Sequence, residues 1–320
     1  MRQFVERGTP ATIEIIGCDG SLWTVAGDDG GHEGVELNTG PQGLQEAPRS
    51  GIWQQSAWQE GATFLGATVE PLDLVLSFQI WGDEENWQDV ASRFRAAWDY
   101  EKQTTIRVTT ESGTRELDVQ LFEAPQRDSE KDPRFIQYSL DMFTVRAAWP
   151  FWRGEDYSDS FTVELHERPV EDDSAWGKLS AALRTLLKLE PEVENYSEGY
   201  VTIANPTDVP MWPQWACTAP GRWGIPDFSF EGDTVTKRSI TTPTLAAGED
   251  LSIDTYPRNE PYVAANGSNV AGRFGGVLFL NPIPPKTPPT KVPVVYVGDD
   301  AEAAVTVRLR EYWNGPWGGE

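Results

Sequence analysis

Residues able to do chemistry are scarce in this sequence. Its two histidines are His32, in GDDGGHEG, and His166, in VELHERP. No His-Glu-x-x-His zinc helix can be written from them, so metal chemistry through imidazole is not expected. The two cysteines, Cys18 and Cys217, lie far apart and form neither a disulfide framework nor a Cys-x-x-Cys metal pair, which reads as two buried thiols. There is no G-x-S-x-G elbow, no G-x-x-x-x-G-K-[ST] loop and no G-x-G-x-x-G between a strand and a helix. The acidic pairs Asp28–Asp29 and Asp299–Asp300 have the charge for calcium but not the oxygen spacing of an EF-hand loop, and are expected as solvated turns. A glycosidase needs two facing carboxylates, and among 50 acidic residues some pair meets that distance by chance. Flat indoles stack on sugars, which makes Trp212, Trp215 and Trp223 the candidate carbohydrate or partner contacts, against the plainer role of core filler.

Asp254 sits in LSIDTY, where Leu251 and Ile253 alternate with polar Ser252 and Asp254. Period two turns the carboxylate away from the core, so it is read as structural and not catalytic. Asn266-Gly267-Ser268 matches a glycosylation acceptor, but Asn-Gly between apolar runs is the stronger signature of a tight hairpin turn, with Tyr256 and Tyr262 available for cross-strand packing. No catalytic set and no cofactor site emerges.

The elements around these residues are mostly strands. The chain has 320 residues, room for two cores, with 29 Gly, 24 Pro and 14 Trp against 3 Met, the mixture of many short strands joined by turns. A formal charge of −24 opposes a DNA-binding surface of the usual basic kind. The amino terminus lacks the apolar core of a signal peptide and no run approaches a membrane span, so a soluble protein made in a cytoplasm is expected.

VEPLDLVLSFQIW places Leu72, Leu74, Leu76, Phe78 and Ile80 on one face of a strand. In the next segment Trp87, Val90, Phe94 and Trp98 share a helical face, with Asp83, Glu84 and Glu85 at its positive amino end. RFIQYSLDMFTVRAAW alternates, with a phase slip at Met142–Phe143 that predicts a bulge. DSFTVELHE continues as strand. A second helical face, Trp176, Leu179, Leu183, Leu186 and Leu187, runs from a cap at Asp173 or Ser174 to a stop at Pro191. Strand and turn follow to the end, and NPIPPKTPPTKVP reads as an exposed, polyproline-like loop. The expected fold is mainly β, with a compact domain over 1–152 carrying one packed helix and a β-sandwich over 153–320 with a helical insertion.

The ordered runs WPQW…TAPG, LAAGEDLSIDT, YVAANGSNV and AAVTVRLREYWNGPWG resemble the galectin-like sandwich of siphophage distal tail proteins, especially those of actinobacterial phages. Pro150-Phe151-Trp152 resembles the end of their belt domain, a split-barrel-like unit. NPTDVPMWP departs from the family in having Pro206-Thr207 where glycine is commoner. The resemblance implies a homohexameric ring in the virion tail tip, made in the host cytoplasm, with no catalysis and no cofactor. It implies that the ring joins the tail tube to the tip hub and receptor-binding proteins, and that belt domains form a channel for DNA in passage. Acidic residues lining that channel would keep DNA from adhering, with Asp28, Asp29, Asp83, Glu84 and Glu85 as candidates, against the alternative that the charge serves solubility alone. The other function considered is a sugar-binding or wall-degrading tail module that uses the sandwich as a lectin for host glycan.

Overall fold

The computed structural model describes residues 9–38, 42–82, 86–128, 131–169, 193–229 and 237–319. It divides into two compact units: residues 1–155 with 312–320, and residues 156–311. The division at 152–153 read from the sequence assigns 312–320 to the second domain; the structure returns them to the first. There Arg115 donates to the carbonyls of Gly315 and Gly318, both at 2.9 Å, and its guanidinium lies 3.8 Å from the Trp313 ring centroid.

The strands of the first unit are β1 (Thr12–Ile16), β2 (Leu22–Ala26), β3 (Val35–Leu37), β4 (Arg49–Gln54), β5 (Thr63–Val69), β6 (Leu72–Trp81), β7 (Thr104–Thr110), β8 (Gly113–Leu121), β9 (Gln126–Asp128), β10 (Tyr138–Ala147) and the start of β11 (Trp152–Thr162). Antiparallel neighbours run β2, β1, β7, β8, β10, β6, β3, a curled sheet whose ends β2 and β3 approach one another. The strict alternation of β6 buries Leu72, Leu74, Leu76, Phe78 and Ile80, as its sequence requires.

Helix α1 (Trp87–Ala96) lies on that face. Asn86 caps it by accepting from the amide of Gln88, and Trp87, Val90, Ala91 and Phe94 are its buried residues. Phe94 meets Trp23, Phe78, Trp98 and Phe143 at ring-centroid distances of 4.9–5.9 Å, which makes an aromatic knot the centre of this core. A one-turn helix, α2 (Pro133–Ile136), precedes β10.

The bulge expected at Met142–Phe143 is not there: β10 pairs with β6 in unbroken register from Tyr138↔Trp81 to Ala147↔Leu72. The slip in pattern comes from two polar residues on the inward face. Ser139 accepts the Trp87 indole N–H at 3.0 Å, and Asp141 takes Arg127 through two bonds of 2.6 and 2.8 Å. Polar residues can occupy a core face when every donor finds an acceptor.

The second unit is a sandwich. One sheet orders β12 (His166–Pro169), β13 (Val193–Asn205), β19 (Thr287–Val297), β15 (Arg222–Pro226) and β16 (Ser239–Thr241); the other orders β18 (Tyr262–Ala264), β17 (Leu251–Asp254), β14 (Gln214–Cys217), β20 (Ala304–Trp313) and β11. Val201, Trp223, Val294 and Tyr296 from the first sheet and Trp215, Ile253, Val305 and Val307 from the second share one core. At Gly199 a Cβ would sit 2.1 Å from the Phe161 ring, so any larger residue there displaces that ring.

The proline-rich loop expected over 281–293 is in part strand. Residues 287–293 pair with β13 alone, and β15 joins only from Val295 to Val297. Pro288, Pro289 and Pro293 therefore occupy the stretch with one partner, where a strand tolerates residues without an N–H, and the proline-free VVYV becomes central. The helical pattern expected between Asp173 and Pro191 lies outside the described residues.

Candidate functional site

The acidic residues of the second unit that sequence could offer for chemistry are engaged in holding turns. The Glu249 carboxylate accepts from the Arg273 guanidinium at 2.5 Å, the Ala246 amide at 2.8 Å and the Ser268 hydroxyl at 2.8 Å. Arg273 first, then the Ala246 amide and Ser268, hold its carboxyl down at about 2. Asp254 Oδ1 accepts from the Tyr256 amide at 3.0 Å, while Oδ2 accepts from Gln214 and Asn259, both at 2.8 Å. Buried Asp227 receives Arg238 at 2.6 Å together with the backbone amides of Leu280 and Asn281 at 3.1–3.3 Å. Asn205 donates to the carbonyls of Val209 and Ile283 and accepts from the Thr207 amide at 3.0 Å. Of these three carboxylates Glu249 alone touches a hydroxyl, that of Ser268, and the Arg273 guanidinium is bound to the same carboxylate.

Asn266-Gly267 does turn, with Gly267 at φ +74°, but it does not close the hairpin. Strands β17 and β18 are joined through 255–261, and the Asn-Gly turn leads from β18 to the short 3-10 turn at Ala271–Phe274. Tyr262 stacks on Phe274 at 3.6 Å, and Tyr256 lies edge-on to Trp212, so the two tyrosines pack elsewhere than on each other.

A groove of about 550 Å³ crosses the β14–β17–β20 face, lined by Asp156, Gln214, Ser252, Asp254, Glu260 and Arg308 among others. Within it Arg308 bonds Asp156, and the Gln214 amide donates to Asp254. In the first unit Glu14, Arg107, Glu116 and Arg153 form a second paired ladder. Burial raises the Glu116 pKa, but the bonds from Arg153 and Arg107 outweigh it and leave the carboxyl below its ordinary range. Among the described residues no three His, Cys, Asp or Glu side chains are grouped to hold a metal ion. The thiol of Cys217 is pushed up by full burial, and Cys18 donates to the Ala96 carbonyl at 3.5 Å.

The tryptophans proposed for sugar contact are mostly core. Trp215 is 3% exposed and Trp223 0%, so neither presents a face to a ligand; Trp223 donates its indole N–H to the Thr218 carbonyl. Trp212 is half-buried against Tyr256. The structure does not bring the three together as a platform. Asp28 and Asp29 are exposed in a turn, with Asp29 3.8 Å from His32. Asp83, Glu84 and Glu85 lie outside the described residues.

A feature that motif-reading passed over is the hairpin of β4 and β5, a two-stranded sheet separate from the others. All but one of its strand residues are exposed, yet they include Ile52, Trp53, Phe64, Leu65 and Val69, and Trp58 at the tip is 98% exposed. The signal available in the sequence was a stretch from 49 to 69 with one Arg, one Glu and six large apolar residues.

The described residues form two strand-built units whose named carboxylates are held in turns and ion pairs. No family model matches the chain. It is 29% identical to the minor tail protein Gp27 of Mycobacterium phage D29 over 97% of this chain and 99% of that protein, and equally so to Gp27 of Mycobacterium phage L5. Its fold is similar to the crystal structure of SPP1 Dit (gp 19.1), a hub protein of the adsorption apparatus, with a TM-score of 0.57 at 11% identity, covering 94% of this chain and 98% of that one. The chain is therefore similar end to end to phage minor tail proteins, and its fold is similar to that of the SPP1 hub protein.

Proposed function

We propose that this chain is a structural ring protein at the distal end of a phage tail. Six copies join the tail tube to the tip hub and its receptor-binding proteins, and the first unit surrounds the passage through which DNA leaves. The observation that carries this is the end-to-end similarity to phage minor tail proteins together with the fold of a distal tail hub protein. The reading needs no catalytic residue and no cofactor. Burial of Trp215 and Trp223 takes away the platform on which a lectin reading rested.

In this reading part of the −24 charge faces the lumen, with Asp28 and Asp29 as exposed candidates, because an acidic wall does not hold the duplex as it passes. Imaging whole tails with the chain labelled tests the role: a six-fold ring between tube and tip is expected, and a single copy per tail would sink it. Ejection by an Asp28→Asn/Asp29→Asn phage is expected to be slower at low salt, and an unchanged rate would leave solubility as the work of those charges.

A further inference from the structure

One groove of the first unit combines ring faces with hydrogen-bonding groups. At one end a cavity of about 270 Å³ is walled by Trp149, Phe151 and Tyr312 together with the polar side chains of Gln103, Asp118 and Gln120. It shares Glu116 and Arg153 with a more open hollow of about 480 Å³, where Glu14, Arg107, Thr109 and Thr114 continue the wall. All of these residues belong to the first unit, and none is among the tryptophans weighed for sugar contact from the sequence. Together the two volumes fall within the about 300–1,000 Å³ of small-molecule sites.

Trp149 is 42% exposed, yet its ring is braced: Phe151 and Tyr312 meet it at 5.3 and 5.6 Å between centroids, with interplanar angles of 69° and 70°. An indole held this way has little rotamer freedom left to lose when a ligand stacks on it. The charges beside it are already matched. Arg153 bonds Glu116 at 2.7 Å and lies 3.6 Å from Asp118, while Arg107 bonds Glu116 at 2.9 Å and reaches Glu14 at 3.5 Å. An anion would be repelled by the −24 of the chain, and a cation would have to part a guanidinium from its carboxylate. Uncharged hydroxyls need neither, because a paired carboxylate keeps lone pairs and a paired guanidinium keeps N–H groups. An extended peptide finds no open edge on this floor: β7 lies between β1 and β8, and β8 between β7 and the strands β10 and β11.

We propose that this groove binds a neutral oligosaccharide. The apolar C–H face of one pyranose ring stacks on Trp149, and the hydroxyls of the units that follow bond along Asp118, Glu116, Arg153 and Arg107. Exposed Gln103 supplies an amide at the aromatic end.

Titration calorimetry on the purified full-length chain tests it, with maltotetraose, isomaltotetraose, cellotetraose and chitotetraose as neutral probes and tetragalacturonate as the anionic control. At least one neutral probe is expected to bind with a Kd of about 1 mM or tighter, and added salt should leave that affinity unchanged. Trp149→Ala should weaken binding about tenfold or more, whereas Trp149→Tyr, which keeps a ring face, should stay within about threefold of wild type. Gln103→Ala changes an exposed side chain that the fold does not use, and should weaken binding about threefold with the urea midpoint unchanged; it decides the matter if Trp149→Ala fails to fold. No neutral probe bound at about 10 mM overturns the proposal. So does tetragalacturonate binding as tightly as the best neutral probe, or an affinity that neither variant lowers.

Discussion

Hairpin β4–β5 of the first unit and hairpin β17–β18 of the second are built on opposite plans. The second is stapled: Leu251 and Ile253 enter the core, and Asp254 ties its connection to Gln214, Tyr256 and Asn259, with Glu249 binding the turns on either side. The first is open, with its apolar side chains exposed, and bonded mainly to itself. One hairpin is finished by its own chain, and the other presents the kind of surface that is finished by something else. Burial of polar groups with full hydrogen bonding marks a rigid part of a fold; exposure of aromatics without a core marks a place of assembly.

The contrast is sharpest in stability. Asp227→Ala removes the carboxylate from a buried ion pair and strands two backbone amides, so a loss of about 3 kcal/mol is expected. A urea midpoint within error of wild type would show that Arg238 and Leu280 find other partners.

Acid tests the Glu249 staple. Its carboxyl titrates near 4.5 when unfolded and at about 2 when folded, so the stabilisation is fully present above about 4.5 and is lost as pH falls toward 2. The unfolding midpoint should drop across that window, and by less in Glu249→Gln. Equal acid sensitivity in both proteins would assign the drop to other carboxylates, such as Asp73, which its two-bond pairing with Arg146 also holds low.

Asp254→Ala is expected to cost about 1–2 kcal/mol, because three donors lose one acceptor residue, and Asp254→Asn under about 1, since the amide oxygen still accepts from Tyr256. Phage carrying Asp254→Asn should remain infectious, and loss of infectivity with normal tails would give this side chain a role beyond the turn. Smallest of all, Trp58→Ser should change the purified chain by no more than about 0.5 kcal/mol, as exposed substitutions do. A larger loss would mean that the tip belongs to the chain's own core and would erase the comparison.

Where one face of an element is buried, its plan was legible. The period-two run of β6 and the Trp87, Val90, Phe94 stripe of α1 follow directly from residue order, because repeat length dictates which side chains share a face. The outward phase of Asp254 was legible for the same reason, though its three bonds were not, since Gln214 lies 40 positions away. Trp215 and Trp223 could not be sorted between core and sugar contact from residue order, because an indole looks alike in a core and on a rim; the structure buries both.

Local order thus determined the strand-rich class, the single helix packed on β6, the polar phase of β17 and the net charge. Tertiary structure alone decided the rest. It set the prolines of β19 on the part of the strand with one partner, satisfied Ser139 and Asp141 inside a core, and returned residues 312–320 to the first unit. It also left Trp53, Trp58 and Leu65 uncovered. Periodicity is a property of neighbours along the chain, whereas coverage depends on what residues remote in sequence bring to the same place, and no local pattern records that.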